Sequence, residues 1–293
     1  MISKIKSYTY NYLVDHYPRF IIDGIWKKTY GKKMNWKNPI DINDKIQWLI
    51  CYGDTSLWPT LADKYKVREY VADLGYGHIL TKLYGHWDDA NDIDFDALPE
   101  KFIIKCNHDS GSWHIIDKKR GFDKNAIIDD LNQRIKRKFG YLHCEPHYNK
   151  ILPQIIAEQF LENEQESFSS SLIDYKVWCF DGKPFCIFVC YNRDHSTIDV
   201  NVYDTMWNVH PEYSIFTSHF RDGKGRCPKP ILLDEMLKAA SILSKGQPEA
   251  RVDFYIVEGK LYFGEITLTS MCGRMDYFTK EYLVELGNQV KLP

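Results

Sequence analysis

The sequence contains no apolar run near the ~20 residues needed to cross a membrane, and no apolar core of signal-peptide type near residue 1. These absences predict a cytosolic protein. Low-complexity tracts are also missing, while hydrophobic residues make up 44% and charged residues 27% of the chain. This composition excludes disordered, collagen-like and coiled-coil architectures. The 293 residues are enough for one large or two ordinary domains.

A net charge is almost absent, because 38 Lys and Arg residues stand against 40 Asp and Glu residues, which leaves −2. This balance argues against a general nucleic-acid binder, so we expect no nucleic acid as a partner.

Closely paired cysteines are missing too. The eight cysteines form no Cys-x-x-Cys pair, and several lie in apolar runs such as 185–190. We expect buried thiols rather than a zinc site or a disulfide framework.

Charge is uneven near the N-terminus. Residues 1–37 hold eight Lys or Arg, only Asp15 and Asp23 as acids, and eight aromatic residues. One interpretation is a helical collar that packs its aromatic rings on the body of the protein. The other is a surface that meets anionic lipid or a polyanionic partner.

Local patterns predict two helices, one strand and two hairpins. Apolar residues recur on one helical face in 61–74, ended by Gly75 and Gly77, and again in 233–240, closed by Lys245-Gly246. A short apolar strand is expected at 101–105. Two β-rich pairs of runs, joined by Asp181-Gly182 and Glu258-Gly259, predict hairpins at 174–189 and 250–267. The order of elements predicts an α+β protein whose larger lobe is an antiparallel sheet backed by helices.

The second hairpin carries one acid on each strand, Asp253 and Glu265, among apolar and aromatic neighbours. A buried carboxylate needs a cation, and hard oxygen ligands suit Mg²⁺. The alternative is an edge hairpin whose acids face water. A strict two-residue turn with regular pairing would put the two acids on opposite faces. A shared metal site therefore requires an extra turn residue or a bulge, with Gly259 at positive φ.

Lys105 ends the strand at 101–105 and is followed by a small polar loop, 106–112. Loop amides and an ammonium group can grip phosphate oxygens. The alternative is a solvated lysine at the end of a strand.

Six short fragments carry a resemblance to a known family: Ala62-Asp63-Lys64, 102–108, 157–161, Asp174-Tyr175-Lys176, Arg251-Val252-Asp253 and Phe263-Gly264-Glu265. In this order they resemble the TupA-like branch of ATP-grasp proteins, which is associated with teichuronopeptide and surface-polysaccharide synthesis. The resemblance runs from about residue 41 to 292. It implies two α+β lobes that sandwich ATP, at 61–154 and 155–293, preceded by a helical N-terminal collar at 1–60.

The resemblance also implies roles for individual residues, with ATP and Mg²⁺ as cofactors. Lys64 and Lys105 would contact phosphates, and Lys176 would lie near them. The remaining implied contacts are the loop residues Asn107, Ser110, Gly111 and Ser112, the adenine hinge residues Glu158, Phe160 and Leu161, and the metal ligands Asp253 and Glu265. Two positions depart from the family pattern: Thr267 stands where many ATP-grasp enzymes have Asn, and Asp109 adds a negative charge to the loop.

A carboxylate is a poor acylating agent, so ATP must first convert it to an acyl phosphate that an amine can attack. Lysines and Mg²⁺ would neutralise the two anions that meet. Arg193 and Arg251 are candidates to hold the acceptor carboxylate, because guanidinium pairs with it bidentately; for each, a structural salt bridge is the alternative.

We therefore expect an amide-forming ATP-grasp ligase. Its family association suggests a uronate-containing surface glycan or its precursor as acceptor, an amino acid or small amine as nucleophile, and peripheral contact with the membrane or capsule-synthesis machinery. The alternatives are a polyglutamate-type ligase, an ATP-dependent kinase and a non-catalytic polysaccharide-binding partner. Basic clusters at 118–120 and 134–138 would lead an acidic polymer to the site, or they are simply solvated.

Overall fold

A computed structural model describes residues 2–164 and 168–293, with side chains described from residue 7 onward. The chain forms two sheets, each with its own hydrophobic core. The helices are α1 (Ile2–His16), α2 (Pro18–Tyr30), α3 (Ile42–Tyr52), α4 (Trp58–Ala62), α5 (Val67–Val71), α6 (Lys124–Arg134), α7 (Leu233–Leu243) and α8 (Lys280–Gln289). The strands are β1 (Leu83–Trp87), β2 (Lys101–Cys106), β3 (His114–Asp117), β4 (Ile155–Gln159), β5 (Asp174–Phe180), β6 (Lys183–Tyr191), β7 (Ile198–Asp204), β8 (Phe220–Asp222), β9 (Ala250–Val257) and β10 (Lys260–Thr267).

The smaller sheet has the strand order β1-β4-β2-β3, and all its pairs are antiparallel. Residues on β2 alternate between two faces, as the period of a strand requires. Phe102, Ile104 and Cys106 are fully buried in the core of this sheet. Lys105 therefore lies on the opposite face, together with Glu158 of β4.

The larger sheet has the strand order β10-β9-β5-β6-β7-β8. Its first five strands are antiparallel, as the sequence predicted, but β8 runs parallel to β7, so the expectation of an entirely antiparallel sheet is wrong at that edge. The predicted helix at 233–240 is confirmed as α7, which contacts β5, β6 and β9 and covers one face. The opposite face is left to carry the charged residues of the hairpin.

Both predicted hairpins are confirmed, and both close with two-residue turns. Asp181 and Gly182 have φ of 47° and 74°, and Glu258 and Gly259 have φ of 50° and 65°. The second hairpin pairs regularly from Val257 and Lys260 up to Phe254 and Phe263, and then a bulge skips Gly264. The bulge, rather than an extra turn residue, places Glu265 directly opposite Asp253.

Glycine suits the bulge because a Cβ at position 264 would lie 3.0 Å from the carbonyl oxygen of Asp253.

The predicted helix at 61–74 is wrong in its continuity, since the chain breaks at Asp63 between α4 and α5. Asp63 Oδ1 accepts hydrogen bonds from the backbone N–H groups of Tyr65 at 2.8 Å and Lys66 at 3.2 Å. This cap starts a new helix, as short polar side chains do at helix N-termini. A π-helical turn follows α5, and Gly75 at φ 86° ends it as predicted.

The N-terminal segment is helical, but only part of its aromatic content packs on the body. Trp26 of α2 is 3% exposed, with Val14 and Ile22 buried beside it. Tyr8 and Phe20, by contrast, are 83% and 68% exposed. The expectation of a collar that packs all its rings is therefore wrong for these side chains.

All eight cysteines are free thiols, and six of them are buried. The prediction of buried thiols is confirmed for those six, while Cys51 and Cys272 are half-buried.

A buried acid beside Trp178 gives a testable pH dependence of stability. Glu249 is 1% exposed, and its Oε1 accepts a hydrogen bond from Trp178 Nε1 at 3.1 Å. Burial raises the pKa of Glu249 from 4.5 to about 8, despite the opposing effects of Arg251 and Trp178. Between these values the folded protein binds a proton that the unfolded chain does not, so stability should fall as pH rises through this window.

The change Glu249→Gln keeps an acceptor for Trp178 and removes the titration. We expect its free energy of unfolding to exceed that of the wild type by more at pH 8 than at pH 5, at up to about 1.4 kcal/mol per pH unit. Urea unfolding of both proteins at several pH values measures this. Parallel pH profiles would contradict the assignment.

Candidate functional site

A row of charged residues crosses three neighbouring strands of the larger sheet. Lys176 on β5 is paired in register with Asp253 on β9, which is paired with Glu265 on β10. Lys176 Nζ lies 2.5 Å from Asp253 Oδ2. Arg251 donates to both Asp253 oxygens at 2.7 Å and to Glu265 Oε1 at 2.9 Å. The bulge at Gly264 therefore creates a connected charged cluster on one face.

Asp253 is 1% exposed, so burial would favour its neutral form. The opposing charges of Arg251 and Lys176 outweigh burial and hold the pKa of Asp253 below its usual value. Lys176, although buried, has a raised pKa because Asp174 and Asp253 favour its charged form. The cluster is thus an ion-pair network in which each charge is compensated.

Asp174 extends this network. Its Oδ2 lies 2.6 Å from Lys176 Nζ and 3.6 Å from Arg193 Nη2. Its buried Oδ1 has no hydrogen-bond partner among the described residues. Burial raises the pKa of Asp174 against the attraction of Lys176. Arg193 itself lies at the margin, with its side chain 54% exposed.

A second cluster lies on the smaller sheet. Lys105 Nζ is 2.5 Å from Glu158 Oε2, and Arg68 Nη1 donates to Glu158 Oε1 at 2.8 Å. The hydroxyl of Thr81 donates to the same oxygen at 3.2 Å. Burial would raise the pKa of Glu158, but the attraction of Lys105 and Arg68 lowers it, so this acid is ionised. Both carboxylate oxygens of Glu158, the residue implied to contact adenine, are therefore engaged by neighbouring side chains.

Lys64 follows α4 and binds the loop after β2. Its backbone N–H donates to the carbonyl of Asn107 at 3.1 Å, and its Nζ donates to the carbonyl of Asp109. Burial lowers the pKa of Lys64, while Glu265 of the larger sheet raises it and Lys105 of the smaller sheet lowers it further.

The loop after β2 has a fixed base. The Asn107 side chain is fully buried: its Nδ2 donates to Asp63 Oδ1 at 2.8 Å and to the carbonyl of Leu152 at 3.0 Å, and its Oδ1 accepts from the N–H of Gln154 at 2.7 Å. Asn107 is thus placed to hold the loop, with its amide already hydrogen-bonded. Ser112 is also buried, and its hydroxyl accepts from the N–H of Cys106 at 3.0 Å.

The tip of this loop is different, since Ser110 and Gly111 are exposed and Gly111 has φ 75°. Asp109 turns inward: it is 5% exposed, accepts from the Ser112 hydroxyl and lies 3.9 Å from Arg134. The negative charge of Asp109, which departs from the family pattern for a phosphate-binding loop, is therefore directed into the protein and away from the loop tip.

The implied hinge follows β4. Leu161 is 7% exposed, while the half-buried Phe160 ring is covered by Lys101, whose Nζ lies 4.1 Å from the ring centroid. Lys101 also pairs with Glu162 at 2.6 Å.

A strained turn lies at the far side of the larger cluster. Met271, Cys272 and Gly273 follow one another in the left-handed region, with φ of 47°, 55° and 61°. Left-handed backbone costs ~1–2 kcal/mol for each non-glycine residue. The preceding Ser270 is bound to the cluster, because Arg251 Nη1 donates to its hydroxyl at 3.3 Å. Such strain concentrates at functional sites.

Sequence reasoning missed Arg68, Thr81 and Asp174. Arg68 stands four residues after Lys64. In the continuous helix predicted at 61–74, Arg68 looks like an ordinary surface residue, and nothing indicates its contact with Glu158. Thr81 lies in a loop with no local signal. Asp174 stands two residues before Lys176, the spacing that puts strand residues on one face, and this signal could have found it.

The carboxylates of the larger cluster are oxygen donors of the kind that Mg²⁺ prefers. Among the described residues, no group of three or more His, Cys, Asp or Glu is arranged to hold a metal ion by itself. Magnesium commonly uses only one or two carboxylates together with substrate phosphates and waters. Asp253 and Glu265 are two carboxylates on one face; Glu265 is 43% exposed, and both oxygens of Asp253 are bound by Arg251.

Two sheets that each present a cluster of lysines and acids are consistent with a fold that sandwiches a nucleotide. The TupA-like ATPgrasp family matches residues 44–291. The chain belongs to this family and has its ATP-grasp fold.

Solved structures similar to this chain include D-alanine–D-alanine ligase from Bacillus anthracis complexed with ATP, at 15% identity and TM-score 0.45, over 92% of this chain and 71% of that one. An L-amino acid ligase from Bacillus licheniformis is 12% identical with TM-score 0.46, over 85% and 54%. The ATP-grasp ligase PsnB, complexed with minimal precursor, Mg and ADP, is 13% identical with TM-score 0.42, over 85% and 66%. The chain thus spans about half the length of the L-amino acid ligase. No curated protein matches the sequence.

The buried network predicts a large cost when one charge is removed. In Arg251→Met, Asp253 keeps Lys176 but loses two charged hydrogen bonds, and Glu265 loses its cation. Breaking a buried ion pair costs ~3–5 kcal/mol. We expect a decrease of this size in the free energy of unfolding, measured by urea denaturation.

Adding Asp253→Asn to Arg251→Met removes the uncompensated charge and should recover part of the loss. Arg193→Met, at the exposed margin, is the matched control and should change stability by less than about 1 kcal/mol. If Arg251→Met and Arg193→Met cost the same, the network does not stabilise the fold as described.

Proposed function

We propose that this protein is a carboxylate–amine ligase that uses ATP and Mg²⁺ to form an amide through an acyl phosphate. The observation that carries the proposal is the pairing of Asp253 with Glu265 on one face of the larger sheet, while Lys105 lies on the smaller sheet and Lys64 binds the loop after β2. Cations on one side and carboxylates on the other are what a magnesium–triphosphate complex requires.

The nucleotide would lie between the two sheets. Its adenine would contact the hinge at Phe160 and Leu161, and its phosphates would lie against Lys105, Lys64 and the exposed loop tip at Ser110 and Gly111. Glu158 orients the Lys105 ammonium group through their 2.5 Å contact. Asn107 and Ser112 support this loop from beneath rather than touching the ligand.

Asp253 and Glu265 would hold Mg²⁺, which supplies charge neutralisation at the transferred phosphoryl group. Arg251 is held against both carboxylates and can turn its guanidinium toward an acceptor carboxylate when they take up a metal ion. Lys176 keeps Asp253 ionised in either state. Arg193, largely exposed beside Asp174, is the more accessible cation for an incoming acid.

We infer that the acceptor is a uronic-acid carboxylate of a surface glycan or its precursor, and that the nucleophile is an amino acid or a small amine. The family's association with surface polysaccharides supports this choice. A polyglutamate-type ligase would use the same machinery with an amino-acid acceptor. A kinase would share only the phosphoryl transfer, and a non-catalytic binding partner would not need the intact charged clusters.

ADP release and product mass distinguish these functions. The purified protein is incubated with ATP, Mg²⁺, and uronates and amines in all pairwise combinations. A ligase releases ADP at a sustained rate only when both acceptor and amine are present, and the product mass shows loss of one water. ADP release with an acceptor alone, and a phosphorylated product, would contradict the ligase.

Nucleotide binding is tested by Lys105→Met, which keeps the side-chain stem and removes its charge. The fold should survive because Arg68 and Thr81 still bind Glu158. Loss of a charged hydrogen bond should weaken ATP binding by ~1.5–3 kcal/mol. Thermal-shift titration with ATP and Mg²⁺ measures the change, and Lys119→Met, at an exposed lysine outside the Lys105–Glu158 and Asp253–Glu265 clusters, is the control. An unchanged shift in Lys105→Met would show that Lys105 does not contact the nucleotide.

The acceptor is tested at the basic segment 134–138, which lies against the base of the loop after β2. The carbonyl of Arg137 is 3.1 Å from His108 Nε2. Arg134 is engaged by Asp130 at 2.6 Å and lies 3.9 Å from Asp109, whereas Lys136, Arg137 and Lys138 are exposed. These three exposed cations are the ones available to attract a polyanion.

Turnover on an oligomeric uronate should therefore fall more steeply with salt than turnover on a single uronate, because salt screens steering over a Debye length of ~8 Å. Reversing Lys136, Arg137 and Lys138 to Glu should flatten that difference without changing ATP binding. Reversing Lys229, Lys238 and Lys260, three exposed lysines of the larger lobe, is the control. Equal salt dependence for both acceptors would exclude a role in capture.

A further inference from the structure

The first two helices expose a surface that the proposed function does not use. Its aromatic members are Tyr8, Tyr12, Tyr17, Phe20 and Tyr30, which are 43–83% exposed. Its cations, all exposed, are Arg19, Lys27, Lys28, Lys32, Lys33 and Lys37. We call these eleven side chains the N-terminal surface.

The rings follow one another along the helices. Tyr8 and Tyr12 are one helical turn apart on α1, and the ring of Tyr12 lies 4.5 Å from His16 and 6.1 Å from Tyr17. Phe20 comes next at the start of α2. Tyr17 and Phe20 also border a cavity of about 360 Å³. The aromatic part of the N-terminal surface is therefore nearly continuous.

Rings and cations share one stripe of α2. Phe20, Gly24, Lys27 and Lys28 are exposed at positions i, i+4, i+7 and i+8. The opposite stripe, with Ile22 and Trp26, is buried against the body. Outside the buried stripe, Arg19 donates to the Tyr52 hydroxyl at 2.9 Å and the Tyr30 ring lies 5.1 Å from Trp26. Tyr8 and Phe20, which are 83% and 68% exposed, are left to solvent.

The two acids of the segment do not neutralise this surface. Asp15 accepts hydrogen bonds from Tyr141 at 2.6 Å and Asn149 at 3.3 Å. Asp23 accepts from the indole of Trp36 at 2.9 Å. Both carboxylates are engaged by neutral donors rather than by the cations, so the six exposed cations of the N-terminal surface outnumber the two acids and are not paired with them.

We propose that the N-terminal surface binds an anionic lipid bilayer. Aromatic side chains prefer the headgroup region of membranes, and each Lys or Arg near an anionic leaflet adds attraction. A protein partner fits less well, because the cores of protein interfaces are depleted in lysine, whereas five of the six cations here are lysines. No described helix is long and apolar enough to span a membrane, so the contact is peripheral.

This binding would be independent of the catalytic cluster. Membrane binding would hold the enzyme at the lipid surface through the exposed side of α1 and α2, while their buried side stays packed on the body. This binding does not require any particular substrate.

Vesicle co-sedimentation of the full chain tests the proposal. The probes are vesicles of phosphatidylcholine alone and of two parts phosphatidylcholine to one part phosphatidylglycerol. We expect binding to the anionic vesicles that decreases as salt is raised, and little binding to the neutral ones. Lys27→Glu, Lys28→Glu and Lys32→Glu together should weaken binding by at least about tenfold. The Lys229, Lys238 and Lys260 reversal is again the matched control and should bind like the wild type.

A second variant, Tyr8→Ser with Phe20→Ser, tests the rings separately; it should weaken binding while urea unfolding shows an unchanged fold. Absence of binding to anionic vesicles at low salt overturns the proposal. So does equal weakening by both lysine reversals. Concentration-dependent self-association that Phe20→Ser abolishes, without vesicle binding, would instead identify the surface as a protein interface.

Discussion

The ionised, buried carboxylate of Asp253 is the constraint on which the site depends. A charge that is 1% exposed is tolerated only with compensating cations, and Arg251 and Lys176 provide them from its own strand and the neighbouring one. Their positions in turn require Asp174 to balance Lys176 and Glu265 to balance Arg251. One buried charge thus determines the residue types at four further positions on three strands.

Much of this arrangement could be predicted from sequence, because hairpins are local structures. The turn residues Asp181-Gly182 and Glu258-Gly259 fix the pairing of their strands within a few residues. The bulge at Gly264 was foreseeable only from chemistry: the alternation of side chains would otherwise separate Asp253 from Glu265. The requirement that Asp253 and Glu265 share one face predicted the bulge, which the residue propensities of the two strands do not indicate.

Other features depend on partners distant in sequence, and local patterns could not supply them. Asp63 interrupts an apparently continuous apolar face because its side chain caps α5 and meets Asn107, 44 residues away. Glu158 is engaged by Arg68, 90 residues earlier, a contact that no local pattern indicates. The pattern of aromatic residues near the N-terminus is compatible with packing and with exposure. Only the position of α2 on the body shows that Trp26 is buried and Phe20 is exposed.

The fixed base of the loop after β2 limits how far the loop can extend. Between Asn107 and Ser112, both held by hydrogen bonds to the body, four residues remain. At ~3.5 Å per residue, a segment of that length with both ends fixed rises at most about 7 Å from its base. Such a short cover can close over a phosphate group but leaves a long chain of sugars outside. In the proposed function, a polymeric acceptor would therefore stay outside this loop.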